Sequence, residues 1–198
     1  MAVVHRTTLT PTKLELLAAW LPAQDWYLGG AGGGPQLSKV GGFRLDDPAG
    51  EVGIEFMAVG DVSGDQPVTY HMPLTYRAAP LDGAEGALIG TMEHGVLGKR
   101  WAYDGTLDPV LLAQLDALLA GKAEPQAQSL SDTPDPSVVA HLDAGAPEPD
   151  GLTVGVERVL RAGESDGAAG DVVGHVTAGW SLADGSTVRG RYVVVRQP

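Results

Sequence analysis

The 198-residue chain contains no cysteine, which excludes disulfide staples and thiolate metal sites. It is also short of positive charge, with 13 Lys and Arg against 25 Asp and Glu and a net charge of −12. Such a surface repels nucleic-acid backbones, and no local Lys/Arg cluster offsets it, so no nucleic-acid partner is expected. The acidic excess reads as a solubility device. No apolar run approaches the ~18 residues of a membrane span. The opening MAVVHRTTLTPTK lacks the apolar stretch of a secretory signal, so the expectation is a cytoplasmic protein without membrane contact. What is abundant is Gly (28) and Pro (14), which favour many short elements joined by turns. A 43% hydrophobic share is an ordinary globular balance, and the length allows one medium domain or two small ones.

Local patterns predict two helices and two groups of strands. Thr12 with Glu15 fits a capping box after Pro11, and Leu14, Leu17 and Leu21 recur on one face, widened by Leu16 and Trp20. Asp108-Pro109 opens a second helix whose apolar face is Leu111, Leu112, Leu115, Leu118 and Leu119, with Gly121 as its stop. Val52, Ile54 and Phe56 alternate with polar or small residues, and Val68, Tyr70, Met72, Leu74 and Tyr76 alternate with Thr69, His71, Pro73 and Thr75. Period two predicts one buried and one wet face, which places His71 on the wet one. Pro73 cannot donate to a ladder and predicts an edge or a bulge there. Two more strands are expected over 87–92 and 100–104. Residues 123–150 read as a linker or long loop, with a short strand near 137–142. A three-stranded meander follows, its last hairpin predicted as a type I′ turn at Asp184-Gly185.

Candidate chemistry is thin. The Gly-rich stretch Gly29–Pro35 follows a helix and precedes a strand, the reverse of a phosphate cradle, and carries no closing Lys and Ser/Thr; it reads as a turn. The five histidines, His5, His71, His94, His141 and His175, show no helical ligand spacing, so no metal site is expected. No nucleophile elbow or cysteine nucleophile is present. Asp46-Asp47 beside Pro48 reads as turn chemistry. Trp26-Tyr27 reads as a core plug. The cluster Arg100, Trp101, Tyr103, with Tyr76 and Arg77, is the candidate contact surface for a ligand or partner, although strand packing explains the aromatics as well. Catalytic, cofactor-binding and metal residues are expected to be absent.

Three stretches together resemble a known family. Ala19-Trp20-Leu21 followed by Asp25-Trp26-Tyr27-Leu28-Gly29 is similar to the opening of the N-terminal cap of actinobacterial maltokinases. Tyr70-His71-Met72-Pro73-Leu74-Thr75-Tyr76-Arg77 resembles the cap strand of the type Y-x-x-P-L-x-Y-R, and Trp101-Ala102-Tyr103-Asp104-Gly105 with Asp108-Pro109 resembles its ending. The resemblance implies a cystatin-like helix on a curved antiparallel sheet, attached in the family to a kinase that phosphorylates maltose with ATP. This chain departs from a kinase in having four Lys, none in its C-terminal strands, and in ending at Pro198 before any catalytic lobe. Asp25 stands where the family carries a basic residue. The expectation is therefore fold without phosphotransfer.

The reading as a whole is an α+β protein with a cap-like domain over 1–120, a linker over 121–150 and a C-terminal β meander over 151–198, packed on or extending the first sheet. The expected role is that of a non-catalytic accessory protein that associates with another protein, in sugar-kinase or α-glucan metabolism. A small-molecule or carbohydrate binder, or an enzyme with an unrecognised site, are the rivals. A small sugar and a second copy of the chain are the further candidate partners, and no cofactor is expected.

Overall fold

The computed structural model describes residues 8–29, 33–144, 152–163 and 171–197. His5 and part of the Gly-rich stretch lie outside them. Among the described residues the chain forms β1 (Leu9–Thr10), α1 (Lys13–Trp20), β2 (Leu37–Leu45), β3 (Gly53–Asp61), β4 (Val68–Arg77), β5 (Leu88–His94), β6 (Gly98–Asp104), α2 (Pro109–Leu119), β7 (Gln126–Ala127), β8 (Val139–Leu142), β9 (Thr153–Val156), β10 (Val172–Ser181) and β11 (Thr187–Arg196). It is mostly antiparallel sheet with two helices. Neither helix is long and apolar enough to cross a membrane.

Both helices start where local chemistry dictates. The Thr12 side chain accepts from the Glu15 amide while the Glu15 carboxylate accepts from the Thr12 amide, a reciprocal capping box. Asp108 caps α2, Pro109 opens it, and Gly121 at φ +68° ends it.

The strands join in the order β1-β5-β6-β4-β3-β2-β10-β11-β9, with β7 on β2 and β8 on β10. The path then returns on itself. Beyond β9, Val159 bridges Tyr70, the His71 amide donates to the Arg158 carbonyl (2.9 Å), and the Leu160 amide donates to the Thr69 carbonyl (2.8 Å). Strands β4-β3-β2-β10-β11-β9 thus close into a ring. Its seam between β2 and β10 is a single pair, Gly41 opposite Trp180. A Cβ on Gly41 would lie 2.8 Å from the Gly179 carbonyl oxygen and 2.9 Å from the Trp180 backbone, so the seam requires glycine there.

The ring encloses one apolar core: Phe43 and Phe56 stack at 4.6 Å, His71 lies against Phe56 and Tyr192, and Trp180 meets Tyr192 edge-on. Leu111, Leu115, Leu118 and Leu119 of α2 pack into the same cluster. The opposite face of β3 and β4 carries a second core, in which Met57, Val59, Tyr70, Met72 and Leu74 lie with Leu17 and Leu21 at and just beyond α1. Each fully buried Leu there contributes about 1.5–3 kcal/mol. Trp20, Trp26 and Tyr27, half-buried, form the rim: Trp20 meets Trp26, and Trp26 and Tyr27 meet Tyr70, with tilted rings 5.6–5.9 Å apart.

Two local expectations are corrected. His71 and Thr75 are fully buried, because the C-terminal strands cover the face of β4 that alternation alone assigns to solvent. The β10–β11 connection is a five-residue loop over 182–186, in which the Gly185 amide donates to Leu182, Asp184 accepts from Ser186, and only Gly185 takes positive φ. Asp184-Gly185 is therefore the end of a longer turn and not a two-residue type I′ hairpin.

Pro73 sits where β4 changes neighbour. The His71 amide points to the segment after β9, residues Leu74–Arg77 pair with β6, and the donor that Pro73 lacks would point into the gap between the two. Because β9–β11 supply half the ring, a fragment of residues 1–144 is expected to lose the single sigmoidal melting transition of the full chain. Melting of that fragment at the full-length temperature would show two independent units instead.

Candidate functional site

Four of the five candidate contact residues fall on the β4–β6 ladder, and Arg100, next along β6, pairs with Met92 of β5. Tyr76 is opposite Ala102, Arg77 is opposite Trp101, and Tyr103 is opposite Thr75. Strand alternation divides them: Arg77, Trp101 and Tyr103 share one face, Tyr76 and Arg100 the other.

Their chemistry is mostly spent inside the protein. Arg77 forks onto Asp108, with Nε donating to Oδ2 at 2.7 Å and a terminal nitrogen to Oδ1 at 2.6 Å, while Asp108 also accepts from the Val110 amide (3.0 Å). Asp108 is wholly buried. Burial alone would raise its carboxyl, but hydrogen bonding and charge from Arg77 hold it below the ordinary carboxylate range. The Tyr76 hydroxyl donates to Glu55 at 2.7 Å; Gln128 and Lys13 donate to the same carboxylate at 2.8 and 2.5 Å. The Glu55 carboxyl is raised by burial and lowered further by Lys13 and these donors, so it is held ionised. Burial and the Glu55 charge push the Tyr76 hydroxyl well up. Tyr103 is buried against Ala84 and Ala87, its oxygen accepting from the Leu81 amide at 2.9 Å. Trp101 is half-buried with the Lys99 ammonium 4.9 Å over its ring, and Arg100 donates to the neighbouring Lys99 carbonyl. Lys99, Arg100 and Trp101 are thus the part of the cluster that reaches solvent, next to a hairpin tip carrying the exposed Val96 and Leu97.

Other polar residues matter that the sequence patterns do not single out. Arg158, just after β9, pairs with Asp104 and lies 5.0 Å over the Trp26 ring, while Asp104 also takes the Thr106 amide and hydroxyl. Asp61 accepts from Tyr27 and from the Gln36 and Ser63 amides. Glu55 stands at an ordinary polar position of an alternating strand and Arg158 in a loop, so no local signal marks them. Asp47 accepts from the amides of Ala49, Glu51 and Val52, the turn chemistry its place before Pro48 predicts. It opens on a shallow groove between the end of β2 and the exit of α2, lined also by Asp46, Lys122, Glu124 and Gln126. Among the described residues, no group of three or more His, Asp or Glu side chains is placed to hold a metal ion.

Two predictions follow from these contacts. Asp108→Ala leaves Arg77 unpaired and α2 uncapped and should cost about 3–5 kcal/mol in denaturant unfolding, the range for breaking a buried pair; Arg100→Glu, at the surface, should stay within about 0.5 kcal/mol. His71 is held neutral: burial in the ring, with Arg158 nearby, lowers its pKa to about 3. The unfolded chain gains that proton near pH 6.5. Stability contributed by neutral His71 is therefore full above about pH 6.5 and falls as pH drops toward 3, by up to about 1.4 kcal/mol per pH unit. Urea unfolding of His71→Gln should show a flatter acid limb than wild type.

The three stretches that carry the family resemblance meet in this region. The Tyr70 hydroxyl accepts from the Leu28 amide at 2.9 Å, and Arg77 of the second stretch holds Asp108 of the third. No curated protein matches the chain. Residues 20–108, from the end of α1 to the cap of α2, match the model of the maltokinase N-terminal cap domain, the family those three stretches resemble.

Proposed function

We propose that this chain is a cap-like accessory protein that acts by non-covalent association with another protein, in the cytoplasm, around sugar-kinase or α-glucan metabolism. The observation that carries the reading is the cap-domain match over residues 20–108. A cap in that family is a helix laid on a curved antiparallel sheet, the cystatin-like arrangement, and the shared core of α1 with β3 and β4 supports that reading. The buried acids Glu55, Asp104 and Asp108 are each neutralised by a cation from a distant segment, which suits a scaffold better than a reacting site. The partner contact is assigned to the outer hairpin, with Lys99, Arg100 and Trp101 touching the partner and Tyr76, Arg77 and Tyr103 holding the two strands behind them.

The test is affinity capture on the immobilised full chain, identification by mass spectrometry, and direct titration of the purified partner. A sugar kinase or α-glucan enzyme should be recovered, and Lys99→Glu with Arg100→Glu should weaken its binding at least tenfold, about 1.4 kcal/mol, at an unchanged melting temperature. The reading fails if the protein alone phosphorylates maltose or glucose with ATP. It fails equally if it captures no protein and binds a small sugar with micromolar affinity, which would make it a carrier.

A further inference from the structure

The structure brings together two histidines that are 34 residues apart in sequence. Strands β8 and β10 are antiparallel neighbours, and His141 is directly opposite His175. Their rings lie 5.4 Å apart, centre to centre, with planes tilted by 37°. Asp143, one residue past the end of β8, places Oδ1 2.9 Å from His141 Nε2. Its own amide donates to the Val173 carbonyl, which keeps this end of β8 on the sheet. Both histidine and carboxylate are about half exposed, so the group is open to water.

We propose that His141 and His175 form a two-imidazole site for a late first-row divalent cation, of which Zn2+ is the probe of choice, with Asp143 as its outer carboxylate. In the tautomer whose Nε2–H donates to Asp143, the Nδ1 of His141 carries a free lone pair and the ring is fixed in orientation. That is the carboxylate–histidine pairing by which proteins orient a metal-bound imidazole. Neutral imidazole is the ligand type that suits Zn2+, Ni2+ and Cu2+, and a rigid ladder presents two of them without ordering a loop. Arg191 is the cation facing this pair, and Asp143 is the anion that offsets it. With two protein ligands and water completing the shell, the site is open, in keeping with the lack of a three-residue cluster among the described residues.

The experiment is calorimetric titration of the full chain with Zn2+ at pH 7.5, with histidine ring proton signals followed by NMR. One ion per chain is expected, broadening or shifting two histidines. His141→Ala and His175→Gln should each weaken binding at least tenfold, and Asp143→Ala by about tenfold, the lower end of outer-carboxylate effects. His94→Ala and His5→Ala should leave the isotherm unchanged. The proposal is overturned if wild type shows no saturable binding, or if the double variant His141→Ala/His175→Gln, with an unaltered circular dichroism spectrum, binds as wild type does.

Discussion

Strand β4 is buried on both faces and shared between two neighbours on one edge, and the rest of the protein is arranged around that demand. Tyr70, Met72 and Leu74 face the core under α1, while His71, Pro73 and Thr75 face the ring. A strand in this position cannot tolerate a one-residue slip, because a slip would exchange the two cores. The missing donor at Pro73 marks the changeover from the segment after β9 to β6. One edge of β4 can therefore serve both the closed ring and the flat outer hairpin.

Register is reinforced by charge. Three cations reach three buried or nearly buried carboxylates across long stretches of chain: Lys13 to Glu55, Arg77 to Asp108, Arg158 to Asp104. Desolvation offsets much of the Coulombic gain in such pairs, so their net worth against an apolar replacement is small, whereas losing one partner is expensive. Their effect is to penalise wrong pairings. Arg158 does this for the C-terminal strands: without it Asp104 would be held only by its own turn, and the segment that closes the ring would meet Trp26 with no charge on it. The family-like stretches contain three of these six residues, Arg77, Asp104 and Asp108, which is a physical reason for a shared signature that records how a fold is held.

Much of the local structure was legible in the sequence. Thr12–Glu15, Asp108-Pro109 and Asp47 each act on backbone groups within five residues, so their pattern is self-contained. The alternation of β3, β4, β10 and β11 was equally plain. Ring closure was not, because it depends on Tyr70 meeting Val159 and Gly41 meeting Trp180, contacts that leave no local periodicity. His71 was misplaced for that reason: a polar residue on an alternating strand reads as wet until a distant strand covers it. The candidate contact residues are singled out by residue type alone; their division between two faces and the internal pairing of Arg77 and Tyr76 need the ladder register.

The ring is filled by Phe43, Phe56, His71, Trp180 and Tyr192. Outside the ring, two places differ from an ordinary acidic surface. One is the hairpin of β5 and β6, where Lys99 and Arg100 put positive charge beside Trp101 on a chain of net charge −12. The other is the β8–β10 ladder, where two imidazoles oppose each other. They lie on opposite sides of the sheet order, one attached through β4 and the other through β10, and both are anchored in strands whose inner faces are already fixed. Side chains carried on such strands are held in place before anything binds, so a partner or a cation meeting them has little ordering entropy left to overcome.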